Sequence, residues 1–132
     1  GLYDGDPLGD LGRLQAEMFR AARLVVDTGL HAKGWSREQA MAYMIEHTGM
    51  PAAEIEREVE RYVVSPGQAT AYKVGQLAIL DMRRRAEAAL GARFDAREFH
   101  EVLLMNGAMP LDLLKDTVNR WIQRQSGART AP

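Results

Sequence analysis

The sequence predicts an all-α protein, a single domain of about six helices packed around a central helix that starts near Pro66. Three observations carry this. Pro7, Pro51, Pro66 and Pro110 each stand just ahead of a stretch with helical periodicity, where a missing N–H costs little. Gly29, Gly49, Gly91, Gly107 and Gly127 each stand just after one, where a left-handed residue is wanted. Between these markers apolar residues recur every three or four positions, and no alternating strand pattern appears.

The first helix is expected over residues 7–28, with Leu8, Leu11, Leu14, Met18, Ala22 and Val25 as its core stripe and Phe19 and Val26 beside it. Arg13–Glu17 and Arg23–Asp27 are i,i+4 pairs on it. Ser36 and Gln39 make a capping box for a second helix that ends near Thr48, with Ala40, Tyr43, Met44 and His47 on one face. The third, over 51–64, has a single narrow apolar line of Ile55, Val59 and Tyr62. Its charged residues, Glu58 and Arg61 among them, should face solvent.

Ser65, Pro66 and Gln68 then read as the cap, first position and third position of the central helix. Along it Ala69, Tyr72, Gly75, Ile79, Met82, Ala86 and Leu90 keep helical spacing, and Val74, Leu77 and Leu80 add a second apolar strip. That breadth predicts the most buried helix of the chain, with Ile79 in the core. Asp95 and Glu98 open a fifth helix that buries Phe99, Val102, Leu103 and Met105. A sixth, over 110–125, carries Leu111, Leu114, Val118, Trp121 and Ile122. The helical domain is thus expected over 1–125, with a disordered tail at 126–132.

Composition narrows the function. The 132 residues are 46% apolar and 27% charged, with a net charge of -1, which argues against a general nucleic-acid binder. The one basic run, Arg83-Arg84-Arg85, has Asp81 and Glu87 at pairing distance, so it reads as a solvated helix face. There is no cysteine, which excludes disulfides, thiolate metal sites and thiol nucleophiles. No apolar run approaches the roughly 20 residues of a membrane span. The N-terminus carries no signal-peptide pattern, and Gly1 in first place reads as a processed product or a piece of something longer.

His100-Glu101 suggests the His-Glu-Xaa-Xaa-His zinc motif, but position 104 is Leu104, so the second imidazole is missing. His100 then reads as a surface histidine and His47 as a residue favoured at a helix C-terminus. His31 lies between Gly29 and Gly34 beside Trp35, in a loop able to line a cleft; the plainer reading is a histidine bonded to a nearby carbonyl or carboxylate, Asp27 first. Gln68, Tyr72 and Lys73 stand at a helix start whose donors suit a carboxylate or oxyanion. Equally, Tyr72 can be core and Lys73 solvated.

These residues also carry a resemblance. Arg23-Leu-Val-Val-Asp-Thr-Gly-Leu-His31 and Gly34-Trp35-Ser36-Arg37-Glu38-Gln39-Ala40 resemble a large bacterial family of uncharacterised proteins. The likeness continues through Arg61-Tyr62, Pro66-Gly67-Gln68-Ala69, Ala71-Tyr72-Lys73-Val74-Gly75, Phe94-Asp95, Phe99-His100 and Gly107-Ala-Met-Pro110-Leu111. Members of that family are several times longer, are often described as exported lipoproteins, and look like zinc-dependent peptidases of the gluzincin type. Their His-Glu, Pro-Gly-His and Glu-Gly-Trp-Ala segments lie upstream of the part matched here.

The resemblance therefore implies the C-terminal helical piece of a metallopeptidase, without the zinc-binding elements and inactive alone. Zinc is expected in the full-length parent and no cofactor in this chain. By the same resemblance His31 and Tyr72 would steady an oxyanion, Arg23–Asp27 would support them, and Gln68 and Lys73 would contact substrate. The implied partners are the upstream zinc-binding part, a peptide substrate and a second copy of the chain. A non-catalytic helical module for assembly or protein–protein interaction is the alternative.

Overall fold

The computed structural model describes residues 1–127. Among them are six α-helices, one short 3₁₀ turn (Gly91–Arg93) and no strand, as the all-α reading requires. The helices are α1 (Pro7–Ala32), α2 (Arg37–Thr48), α3 (Ala52–Val64), α4 (Ala71–Leu90), α5 (Ala96–Leu104) and α6 (Leu111–Gly127). Among the described residues no helix is long and apolar enough to cross a membrane. The expected tail falls partly inside α6, which includes Ser126 and Gly127, and otherwise lies outside the described residues.

The chain divides into two compact units, Gly1–Val74 and Gly75–Pro132. In the first, α1 packs on α2 and α3, and α2 on α3. Its core is Ala22, Val26, Ala40, Met44, Ile55, Val59, Tyr62 and Ala69, with Phe19, Leu30 and Trp35 packed against it. The narrow line read on α3 is this core's centre: Ile55, Val59 and Tyr62 are all fully buried. In the second unit, Met82, Ala86 and Leu90 of α4 meet Phe99 of α5 and Leu114, Val118 and Trp121 of α6.

Several starts and stops follow the expected chemistry. Asp6 caps α1 by accepting from the Gly9 N–H at 2.9 Å, with Pro7 in the first turn. Ser36 and Gln39 form the full capping box of α2, and Gly49 ends that helix in the left-handed conformation. Asp95 caps α5 from the Arg97 N–H. Arg83 pairs with Glu87 as expected, whereas Asp81 pairs with Arg84, and Arg85 reaches Asn119 instead.

Four expectations need correction. First, α1 does not bury the stripe read from its apolar residues. Leu8, Leu11, Leu14, Met18 and Val25 are exposed, and its buried face carries Phe19, Ala22, Val26 and Leu30, with Arg23 and Asp27 among them. Two charged residues occupy the inward face because each finds long-range partners there.

Second, α4 begins at Ala71 and not at Pro66. Gly67 takes φ +80°, which no helix accommodates, and its N–H turns to the Asp27 carboxylate at 3.1 Å. Ser65 closes α3 instead of capping α4. Third, burial on α4 is limited to Met82, Ala86 and Leu90; Tyr72, Val74, Leu77 and Leu80 are exposed, and Ile79 is 36% exposed rather than core. Met105, expected to be buried, is also exposed.

Fourth, Gly29 and Gly127 lie inside helices and do not follow them. Gly29 is buried, and a Cβ there would stand 2.5 Å from the Trp35 ring. The Trp35 N–H returns to the Gly29 carbonyl at 3.0 Å, and Gly34 (φ +66°) makes the turn between them. Gly29 is therefore fixed by close approach of an aromatic ring. Gly29→Ala should destabilise the chain by about 1–3 kcal/mol through overpacking, although alanine favours helices. Chemical denaturation checks this, and an unchanged or higher midpoint would contradict it.

Candidate functional site

The first unit holds a chain of polar contacts that starts in its core and ends at its surface. Arg23, on the inward face of α1, lies 4.4 Å from the centre of the Phe19 ring. Its Nε donates to the Tyr62 hydroxyl at 3.0 Å and its Nη2 to Glu58 Oε2 at 2.7 Å. Tyr62 donates its own hydroxyl proton to the same Glu58 oxygen at 2.7 Å. Arg61, one turn along α3, adds Nη2 to that oxygen at 2.9 Å and Nε to Oε1 at 3.4 Å.

One carboxylate thus meets two guanidinium groups and a phenol. Burial alone would raise the Glu58 pKa, but the hydrogen bonds from Arg61, Tyr62 and Arg23, with the charge of Arg23, bring it down to about 2. Burial, followed by the bond to Glu58, pushes the Tyr62 hydroxyl well above its ordinary range. Tyr62 stays a neutral donor and Glu58 stays a charged acceptor.

From this hub the contacts run outward. Arg61 Nη1 donates to Gln68 Oε1 at 2.6 Å, and Gln68 Nε2 donates to the Tyr72 hydroxyl at 3.2 Å. Tyr72 is 48% exposed, so the chain ends in solvent. Its ring also faces the Arg23 guanidinium at 5.5 Å. Arg23, Gln68 and Tyr72, picked from sequence, therefore belong to one connected group.

The supporting pair Arg23–Asp27 does not form as expected, because each residue is engaged elsewhere. Asp27 is buried; Oδ1 accepts the Gly67 N–H and Oδ2 has no hydrogen-bond partner among the described residues. His31 lies in the last turn of α1 and not in a loop, with Nε2 2.9 Å from the Tyr62 carbonyl and 3.5 Å from Asp27 Oδ1. A carbonyl only accepts, so Nε2 carries the proton and Nδ1 is the nitrogen left for a ligand. Among the described residues no hydrogen bond joins His31 to Tyr72 directly; both attach to 61–68, one through the Tyr62 carbonyl and one through Gln68. Lys73 reaches Glu17 at 3.1 Å.

Glu58, Arg61 and Tyr62 were not chosen as site residues from sequence. Glu58 and Arg61 were placed on the solvent face, yet Glu58 is three-quarters buried, its side chain 26% exposed. A signal was available: Glu58 lies beside the line Ile55–Val59–Tyr62 with Arg61 and Tyr62 three and four residues on. Among the described residues no group of three or more His, Cys, Asp or Glu could hold a metal ion. The residues present do not fit a zinc site, and any zinc would need ligands from elsewhere.

The fold and this contact chain define an all-helical protein in which a largely buried carboxylate organises an exposed polar edge. The chain belongs to the family described as bacterial protein of unknown function (DUF885), which matches residues 1–118. Among solved structures it is similar to the crystal structure of the "putative lipoprotein" from Colwellia psychrerythraea, at 56% identity and a TM-score of 0.92. That match covers 94% of this chain and 21% of the other, so the chain spans about a fifth of that protein's length. No curated protein matches it.

The depressed Glu58 pKa has a signed consequence. A carboxylate held at about 2 against an ordinary 4.5 adds stability above pH 4.5, which is lost as pH falls from there toward 2. The upper bound is about 3 kcal/mol. Thermal melts of wild type and Glu58→Gln should differ most above pH 4.5 and converge toward pH 2. A gap independent of pH would contradict the pairing.

Proposed function

We propose that this chain is the helical part of a larger peptide-bond hydrolase of the zinc-peptidase class, in which the first unit lines the substrate cleft. The expected upstream part would supply the zinc ligands. The longer Colwellia relative is compatible with such an arrangement, since this fold is one fifth of it.

The observation that supports a catalytic edge is the direction of the contact chain. Arg61 donates to Gln68, and Gln68 donates to Tyr72. Tyr72 is thus an acceptor within the protein, and its own O–H is left to donate outward from a half-exposed ring. A donor polarised by a guanidinium two bonds upstream suits an oxygen that gains negative charge. When a peptide carbonyl is attacked, its oxygen becomes such an oxyanion.

His31 would act beside it. With Nε2–H held by the Tyr62 carbonyl, neutral His31 offers Nδ1 as an acceptor, and the imidazolium offers it as a donor. The imidazolium would also bring positive charge next to the buried Asp27 carboxylate, one of whose oxygens is unpaired. Gln68 and Lys73 would contact the substrate on either side of Tyr72, with Arg23 and Asp27 holding the walls.

The assembly reading has an observation of its own. Leu8, Leu11, Leu14 and Met18 form an exposed apolar stripe on α1, and an open groove of ≈ 380 Å³ is lined by Leu11, Leu14, Gln15, Met18 and Thr48. The rest of a longer chain or a second copy would cover it, and self-association of this chain in light scattering is its signature. The two readings are compatible, because the stripe and the Tyr72 edge use different residues.

In a full-length protein containing this chain, Tyr72→Phe should lower kcat by about 10²–10³ with KM and metal content little changed. A steady-state peptidase assay reads this. A kcat within about twofold of wild type would remove the oxyanion role.

A further inference from the structure

Charge around Glu58 does not balance locally. Glu58 is the acidic group that receives both Arg23 and Arg61, so two positive charges face one negative charge. The other contacts of these arginines are neutral: the Tyr62 hydroxyl, the Gln68 amide, and the rings of Phe19, Tyr62 and Tyr72. Nearby acids are committed elsewhere. Glu17 pairs with Arg13 and Lys73, and Asp27, held by the Gly67 N–H and close to His31, forms no ion pair with either arginine among the described residues. On the remainder of α3 the imbalance is reversed, since Glu56 and Glu60 share Arg37.

Unused donors remain beside this shared carboxylate. A guanidinium has five N–H groups, and Arg61 uses three of them, on Glu58 through Nε and Nη2 and on Gln68 through Nη1. Its side chain is 37% exposed. Gln68 is exposed and has one amide N–H beyond the bond to Tyr72, and Tyr72 has its outward O–H. Arg61 and Gln68 thus keep unused N–H donors beside the Tyr72 hydroxyl, on a guanidinium that shares its one carboxylate partner with Arg23 and on the amide next to it. Both the arginine and the amide are held in place by bonds already made.

We propose that Arg61 and Gln68 form a binding site for the carboxylate of a peptide ligand, beside Tyr72, whose hydroxyl is left to the reacting carbonyl. A carboxylate is planar, carries one negative charge and accepts several hydrogen bonds, which matches a guanidinium with unused N–H groups and an amide N–H beside it. The group is either the C-terminal carboxylate of a peptide or an Asp or Glu side chain. This rests on the hydrolase reading only in taking the ligand to be a peptide, and it adds Arg61 as the residue that selects for an acidic one.

Binding is measured directly on this chain, without turnover, by calorimetry or NMR titration. Three N-acetylated peptides serve as probes: one with a free C-terminus, its C-terminal amide, and an amide with one internal Glu. At least one carboxylate-bearing peptide should bind, about tenfold or more tighter than the uncharged amide, with affinity falling as salt rises. Which of the two acids binds identifies the carboxylate's source. Arg61→Gln should weaken it by about tenfold or more, and Arg61→Lys, which keeps the charge but loses the fork, should recover part of it. Circular dichroism confirms that both variants fold, and Arg85→Gln in the second unit should change nothing.

Equal binding of acid and amide, no binding of any probe at millimolar concentration, or wild-type affinity in a folded Arg61→Gln chain would each overturn the site. None of these bears on the kcat of Tyr72→Phe, so the two readings fail separately.

Discussion

The Glu58 carboxylate is the contact on which the first unit's architecture turns. It collects Arg23 from α1 and Arg61 and Tyr62 from its own helix, with one oxygen accepting three donors within 2.9 Å. That convergence explains how α1 can turn an arginine inward at all. A guanidinium facing a core of Val26, Val59 and Tyr62 would be costly unpaired; here it has a charged acceptor, a hydroxyl and an aromatic face. The same carboxylate orients Arg61, and through it Gln68 and Tyr72. Packing between α1 and α3 and the exposed polar edge are thus two ends of one set of bonds.

Asp27 imposes the second constraint. Buried one turn beyond Arg23, it draws in the Gly67 N–H, and position 67 can turn to donate because only glycine takes φ +80° readily. The segment at 66–70 is therefore held as turns, and α4 starts five residues later than a proline at 66 suggests. The delay matters for the site. Gln68 lies in the turn, where its amide reaches both Arg61 and Tyr72.

Much of the fold was legible because it depends on neighbours in sequence. The Ser36–Gln39 box, the Asp95 cap and the line Ile55–Val59–Tyr62 are local patterns, and each stands where it was read. The stripe Leu8–Leu11–Leu14–Met18 is equally local but says only that a face is apolar, not what meets it. Gly29 was misread because its constraint is the Trp35 ring, and helix-end glycine and close-contact glycine look alike in sequence. Arg23, Gln68 and Tyr72, named by residue type or by resemblance, share one connected set of contacts. Their organiser was missed because the decisive contact joins positions 35 residues apart, and Glu58 sits in a helix whose other acids face solvent.

A double-mutant cycle between Arg23 and Glu58 tests the central claim most directly. Arg23→Met, Glu58→Gln and the pair are compared by denaturant unfolding at pH 7. If Glu58 ties α1 to α3 through this bond, each single change is destabilising and the coupling energy is about 1.5 kcal/mol or more. Additive effects, within about 0.5 kcal/mol, would mean that the helices hold together without the hub, and the account built on it would be contradicted.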